Sequence, residues 1–139
     1  MKKIFLIICL CMLPLFANAK FVYNDIYTAQ KHAQKEAKLM LFFVVAESCK
    51  YCHQLLDDVF NNKEFLAFLN KKFIVAISDL DNKGVIPKDL IFNGVTPTTY
   101  ILTPTGKVIG MPIEGAVDSN TLFGLLKGLE EYKRGQLGF

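Results

Sequence analysis

Neither sign of charge dominates this chain: 16 Lys and Arg stand against 13 Asp and Glu, a formal +3. Two of the lysines, Lys2 and Lys3, sit at the extreme amino terminus, and without them the balance is 14 − 13 = +1. A nucleic-acid binder carries a basic stripe. None is present, so nucleic acid is not an expected partner, and there is no acidic tail. Nine glycines and five prolines in 139 residues are too few for a linker or a collagen-like chain, and no internal repeat marks a solenoid. Only two histidines are available for imidazole chemistry. What the chain does have is apolar content, 52% hydrophobic against 21% charged. That composition predicts one domain with a real core rather than a disordered chain, and the length is too short for two.

The amino terminus reads as an address. Lys2 and Lys3 precede an apolar run from Ile4 to Ala17, interrupted by Pro14 and followed by Ala17-Asn18-Ala19, the small-x-small form of a signal-peptidase site. The run is about 14 residues, short of the roughly 20 that cross a bilayer comfortably. Residues 1–19 are therefore expected to be a cleaved signal peptide, with an uncleaved anchor as the alternative, and residues 20–139 a single exported, periplasmic domain. Cys9 and Cys11 belong to the leader. Cys49 and Cys52 then remain, an even pair in an oxidising compartment. A bridge between residues three apart closes so short a loop that it removes little entropy from the unfolded chain, so a purely stabilising role explains it poorly.

Periodicity predicts the surrounding elements. Phe21 to Tyr23 suits a short strand, and Asp25 caps a helix on which Ile26, Ala29, Ala33 and Ala37 recur. Leu39 to Ala46 is unbroken apolar sequence, as expected of a strand covered on both faces. It runs into Glu47-Ser48-Cys49-Lys50-Tyr51-Cys52-His53, after which Leu55, Leu56, Val59 and Phe60 mark a helical face. Asn61 and Glu64 have the spacing of a capping box that restarts a helix through Leu69. Phe73 to Ile77 is a second buried strand, Asp79 to Gly84 a polar turn, Ile86 to Phe92 a short helical piece, and Thr98 to Leu102 a third strand. The Thr103–Lys107 turn leads into Val108 to Ile113 as an antiparallel hairpin. Gly115 and Asp118 open a closing helix burying Leu122, Leu125, Leu126 and Leu129. The order β, α, β, α, β, α, β, β, α predicts an α/β sandwich with a central mixed sheet flanked by helices.

An apolar strand ending in Cys49-Lys50-Tyr51-Cys52, then a helix, then Val95-Thr96-Pro97-Thr98 opening a further strand before a hairpin and last helix, resembles the thioredoxin-like superfamily across nearly the whole of residues 20–139. The resemblance implies a thioredoxin-like fold, a redox-active Cys49–Cys52 disulfide, and a cis proline at Pro97 that, with Thr96, presents backbone to an extended substrate. A thiolate is the attacking species, and a helix amino terminus stabilises it. Cys49 is thus the expected nucleophile and Cys52 the resolving thiol. Lys50 favours the thiolate, His53 is four residues from Cys49 and within reach of its sulfur, and Tyr51 is placed to touch substrate.

The Cys-Lys-Tyr-Cys-His centre is similar to that of periplasmic disulfide isomerases and secreted reductases. Cytosolic thioredoxins have Trp before the first cysteine and a buried Asp in the preceding strand, where this chain has Ser48 and Phe43, and Glu47 is the substitute considered for taking the Cys52 proton. The isomerases add a dimerisation domain, for which no residues remain, so a monomer is expected. The resemblance implies protein or peptide disulfide substrates, a membrane-bound electron donor, the reductase direction, and no bound cofactor, since the cysteine pair carries both electrons.

Three rival readings stay open at this point. Cys49-Lys50-Tyr51-Cys52-His53 also matches the attachment motif of c-type haem, with His53 and either Met111 or Met40 as axial ligands, although the flanking strands argue against a small helical cytochrome. A zinc site would have to combine the pair and His53 with His32, which sits in a distant helix. The fold also permits a non-catalytic binding module.

Overall fold

The computed structural model describes residues 20–137; the expected leader and its cleavage point lie outside the described residues. Along the chain come Val22–Tyr23 (β1), Ile26–Glu36 (α1), Leu39–Val45 (β2), Lys50–Asn61 (α2), Lys63–Lys72 (α3), Phe73–Asp79 (β3), a 3-10 turn at Leu80–Asn82, Thr98–Leu102 (β4), Ile113–Glu114 (β5) and Ser119–Leu137 (α4). The five strands form one mixed sheet in the order β1-β3-β2-β4-β5. β1, β3 and β2 run parallel, while β4 and β5 are antiparallel to their neighbours.

β2 explains the two-sided packing. All seven of its residues are buried, and because side chains alternate across a strand, Leu39, Leu41, Phe43 and Val45 enter a core with Cys52, Leu55, Val59, Phe65, Leu122 and Leu126. Met40, Phe42 and Val44 enter the opposite core, against Ile26, Ala29 and Ala33 of α1. Burial on both faces is why no polar residue interrupts the run. Among the described residues no helix is long and apolar enough to cross a membrane.

Five expectations are corrected. The cap of α3 is Asn62, not Asn61: α2 continues through Asn61, and the Asn62 side chain accepts from the Phe65 N–H at 3.0 Å. Residues 86–92 form no helix. Seven residues are too few to repay nucleation unaided, and the segment instead turns at Pro87, whose carbonyl accepts from the Leu90 N–H at 3.0 Å, so that Leu90 enters the core while Ile91 stays 75% exposed. The strand expected over Val108–Ile113 shrinks to an isolated bridge at Val108 and the two residues of β5. Gly110, at φ 72°, and Pro112 between them break the ladder. On α4, Leu122 and Leu126 are buried and Leu129 partly so, but Leu125 is exposed; Phe123 takes the inward position. Ala37 likewise leaves the apolar face of α1 and ends the helix in the left-handed region.

Asp25 caps α1 as expected. Its carboxylate accepts from the Tyr27 N–H at 3.3 Å, the Thr28 N–H at 3.0 Å and the Thr28 hydroxyl at 2.6 Å. The Thr28 hydroxyl foremost, with the two amides, holds its pKa below the ordinary carboxylate value. A depressed folded-state pKa means that this stabilisation is present at neutral pH and is lost as pH falls through it. Asp25→Ala should cost about 1 kcal/mol in urea unfolding at pH 7. The gap between variant and parent should close in acid.

Candidate active site

Parallel pairing of β2 with β3 brings their carboxyl ends to the same edge, with Val45 opposite Asp79. The chain leaving β2 turns through Ala46, Glu47 and Ser48, closed by the Cys49 N–H donating to the Ala46 carbonyl at 3.0 Å. Cys49 is then the residue that caps α2: its backbone is extended, at φ −90° and ψ 108°, and its Sγ accepts from the Cys52 N–H at 3.2 Å. The sulfur therefore occupies the place an Asp or Ser oxygen takes at other helix starts, where unpaired N–H groups and the helix dipole favour negative charge.

Cys52, one turn along, is bonded to Cys49 and is 1% exposed. Cys49 is only partly buried. The pair thus presents one sulfur outward and keeps the other inside. Across from it the Thr96-Pro97 peptide is cis, and the Thr96 carbonyl oxygen lies 3.5 Å from Cys49 Sγ. Pro97 is buried, and its carbonyl accepts from the Gly115 N–H at 2.8 Å, which ties this loop to the β5 hairpin. Thr98, next in the chain, bonds the Val95 carbonyl through its hydroxyl at 2.7 Å. Residues 47 positions apart in sequence so meet at one sulfur.

The remaining expected site residues are spread around this centre. Lys50 and Tyr51 are exposed, Tyr51 by 63%. His53 does not turn to the sulfur: its Nε2 is 2.5 Å from the Glu47 carbonyl oxygen. A carbonyl only accepts, so that nitrogen carries the proton. The Glu47 carboxylate accepts from the Asn82 side-chain amide at 3.1 Å. A cavity of about 460 Å³ opens beside the buried cysteine, lined among others by Cys52, His53, Glu47, Asp79, Leu56 and Ile77.

Sequence reasoning missed three contributors, Asp79, Asp81 and Asn82. The Asp79 carboxylate accepts from the Glu47 N–H at 3.1 Å and that of Asp81 from the Ser48 N–H and hydroxyl at 2.9 and 2.8 Å. The bonds from Ser48, its amide first, lower the Asp81 pKa. A polar Asp-x-Asp-Asn at the end of a strand parallel to the one carrying the cysteines was the available signal.

The metal readings find no support in this geometry. Met40 is fully buried in the core on the face of the sheet opposite Cys52, and Met111 is 87% exposed; neither lines the cavity beside His53. Neither methionine is therefore brought to the motif as a second axial ligand, and the Nε2 that would bind iron is engaged with the Glu47 carbonyl. His32 is stacked on Tyr23, ring centroids 4.6 Å apart, and among the described residues no group of three metal-ligating side chains converges.

A Cys49–Cys52 disulfide at a helix head, facing a cis-proline loop within this sheet order, defines a thioredoxin-like thiol:disulfide oxidoreductase. The sequence agrees: residues 26–130 match the thioredoxin-like domain family, and the chain belongs to it. Among solved structures it is similar to a thioredoxin from Thermus thermophilus, at 21% identity and a TM-score of 0.63 over 86% of this chain and 94% of that one. It is also similar to a DsbH oxidoreductase, at 14% identity and a TM-score of 0.57 over 76% of this chain and 81% of that one. Chloroplastic thioredoxin z matches at 12% identity and a TM-score of 0.61, over 81% and 96% of the two chains. These likenesses are of fold. No curated protein matches the chain.

Proposed function

We propose that the protein is a periplasmic disulfide reductase of protein or peptide substrates, with Cys49 as nucleophile and Cys52 as resolving thiol. The observation that carries the reading is the position of Cys49 Sγ, capping α2, partly exposed, and 3.5 Å from the Thr96 carbonyl. In the dithiol state the Cys49 thiolate attacks one sulfur of a substrate disulfide; the S–S bond breaks, a mixed disulfide forms, and the other substrate sulfur leaves as a thiolate that takes up a proton. Cys52 loses its proton into the adjoining cavity, where Glu47 and Asp79 supply carboxylates. It then attacks Cys49 Sγ and releases the second substrate thiol. Two electrons and two protons have passed to the substrate, the protein is left as the disulfide, and a membrane-bound dithiol donor restores it.

Substrate backbone adds as a strand beside Thr96 and Pro97, with Tyr51 contacting its side chains and Lys50 aiding the thiolate. The apolar run and Ala17-Asn18-Ala19 support export and cleavage, and the domain acts as a monomer.

The test is equilibration of the purified protein with a glutathione buffer. A reductase should show a potential below about −200 mV, and a value near about −120 mV would reverse the direction of electron flow. A protein that never equilibrates with glutathione is not an exchange enzyme, and the binding-module reading would take its place. The processed protein should begin at Lys20 and be released by opening the outer envelope alone.

A further inference from the structure

The turn after β3 does more than connect strands. The two residues before the nucleophile, Glu47 and Ser48, have both amides bound by carboxylates, Glu47 by Asp79 and Ser48 by Asp81. The Ser48 hydroxyl is also held by Asp81. The Asn82 amide bridges the Asp79 and Glu47 carboxylates at 2.7 and 3.1 Å, and the Asp81 N–H donates to Asp79 at 3.0 Å. His53 closes the other side through the Glu47 carbonyl. Gly84 seals the turn: a Cβ there would stand 2.5 Å from the Asp79 carbonyl oxygen.

Resting on the thiol exchange assigned above, we propose that the Asp79-Leu80-Asp81-Asn82 turn is the positioning element of the active-site loop, and that its two carboxylates bias the Cys49–Cys52 dithiol toward giving up electrons. Holding the loop by neutral donors or acceptors would fix Cys49 equally well. Holding it by two anions also sets negative charge beside the residue that must become a thiolate. The reduced state owes part of its stability to that thiolate, so charge opposing it makes the dithiol the stronger reductant.

The other ionisable groups around the pair are divided. α2 contributes Lys50 and His53, and the loop before it Glu47. Asp25 at the start of α1 and Lys83 line the shared cavity, and Glu114 on β5 stands opposite Thr98. Among the described residues none of these binds the amides of Glu47 and Ser48 in the loop that leads into Cys49, which go to Asp79 and Asp81. The turn is thus where geometry and charge coincide.

Asp81→Asn tests the charge with the acceptor oxygen kept. Two quantities are read at low salt: the pH at which the Cys49 thiolate forms, by absorbance at 240 nm, and the equilibrium protein dithiol + glutathione disulfide ⇌ protein disulfide + two glutathione thiols, at pH 8. The expected result is a thiolate titration lowered by about half a pH unit and an equilibrium moved about threefold toward the protein dithiol, the size of one exposed charge acting through solvent. Both shifts should fade in 1 M salt. Asp79→Asn should move both in the same direction, giving a second reading should either variant fold poorly. Asp81→Ala should add slower attack on substrate that Asp81→Asn does not show, because Ser48 then loses its acceptor. Unmoved titrations in both asparagine variants, or shifts that persist unchanged in high salt, would overturn the proposal. If the parent protein itself fails to equilibrate with glutathione, the exchange reading falls first and this one with it.

Discussion

Replacing Cys49 by serine should reduce insulin disulfide reduction to the uncatalysed level, whereas replacing Cys52 by serine should convert the protein into a trap. The two variants differ because the two sulfurs sit differently. Cys49 caps α2 and is partly exposed; Cys52 is 1% exposed within the core and meets solvent through the cavity beside Glu47 and Asp79. A serine hydroxyl at position 49 is neither ionised near neutral pH nor able to form the mixed disulfide, so no electrons move. With Cys49 retained and Cys52 lost, attack still succeeds, but the group that would displace the captured sulfur is gone. Mixed disulfides should therefore accumulate, resolvable on non-reducing gels and released by added dithiol. Adducts forming through Cys52 in the Cys49→Ser protein would reverse the two assignments. Equal reduction of insulin by all three proteins would remove the pair from the reaction altogether.

The parts of this site that could be read in advance are those whose chemistry is local. A strand ending in a Cys-x-x-Cys that opens a helix is a pattern of adjacent residues, and the apolar run of β2 announces a strand covered on both faces. Pro97 was legible only through the order of elements around it. The Asp79, Asp81 and Asn82 contacts were not, because they depend on register: Val45 falls opposite Asp79 only once β2 and β3 pair in parallel, and nothing in a Leu-Asp-Asn stretch states which amides it will meet. His53 misled for a related reason. Helical spacing puts it on the same face as Cys49, but spacing does not set the rotamer, and the Glu47 carbonyl lies closer to hand. The short segments fared worst. Residues 86–92 carry apolar side chains at near-helical intervals, yet their conformation follows from burying Leu90 and tying Leu90 N–H to Pro87, a tertiary outcome.

Phe43 carries the largest expected stability effect and a consequence for the chemistry. Its side chain is fully buried, with Ile77 beside it on β3 and Thr99 on β4, in the core that also holds Cys52 and Leu55. Phe43→Ala should cost about 3–5 kcal/mol through lost transfer energy and the cavity left behind, a large share of the roughly 5–15 kcal/mol that holds a domain of this size together. Phe43→Asp, which restores the acid that the resemblance implies for cytosolic relatives, should cost more at neutral pH. A carboxyl walled by Ile77 and the apolar core has its folded-state pKa raised by desolvation. The unfolded chain then ionises first, near pH 4, and stability falls by about 1.4 kcal/mol per pH unit until the folded pKa is passed. Denaturant midpoints should therefore fall between pH 4.5 and 7.5 for Phe43→Asp and stay level over that range, apart from the parent's own slope, for Phe43→Ala. A pH-independent aspartate variant would mean that the site admits water. In the parent the Phe43 ring accepts no proton, and in the proposed reaction the Cys52 proton leaves sideways, into the cavity that Glu47 and Asp79 line at the end of the sheet.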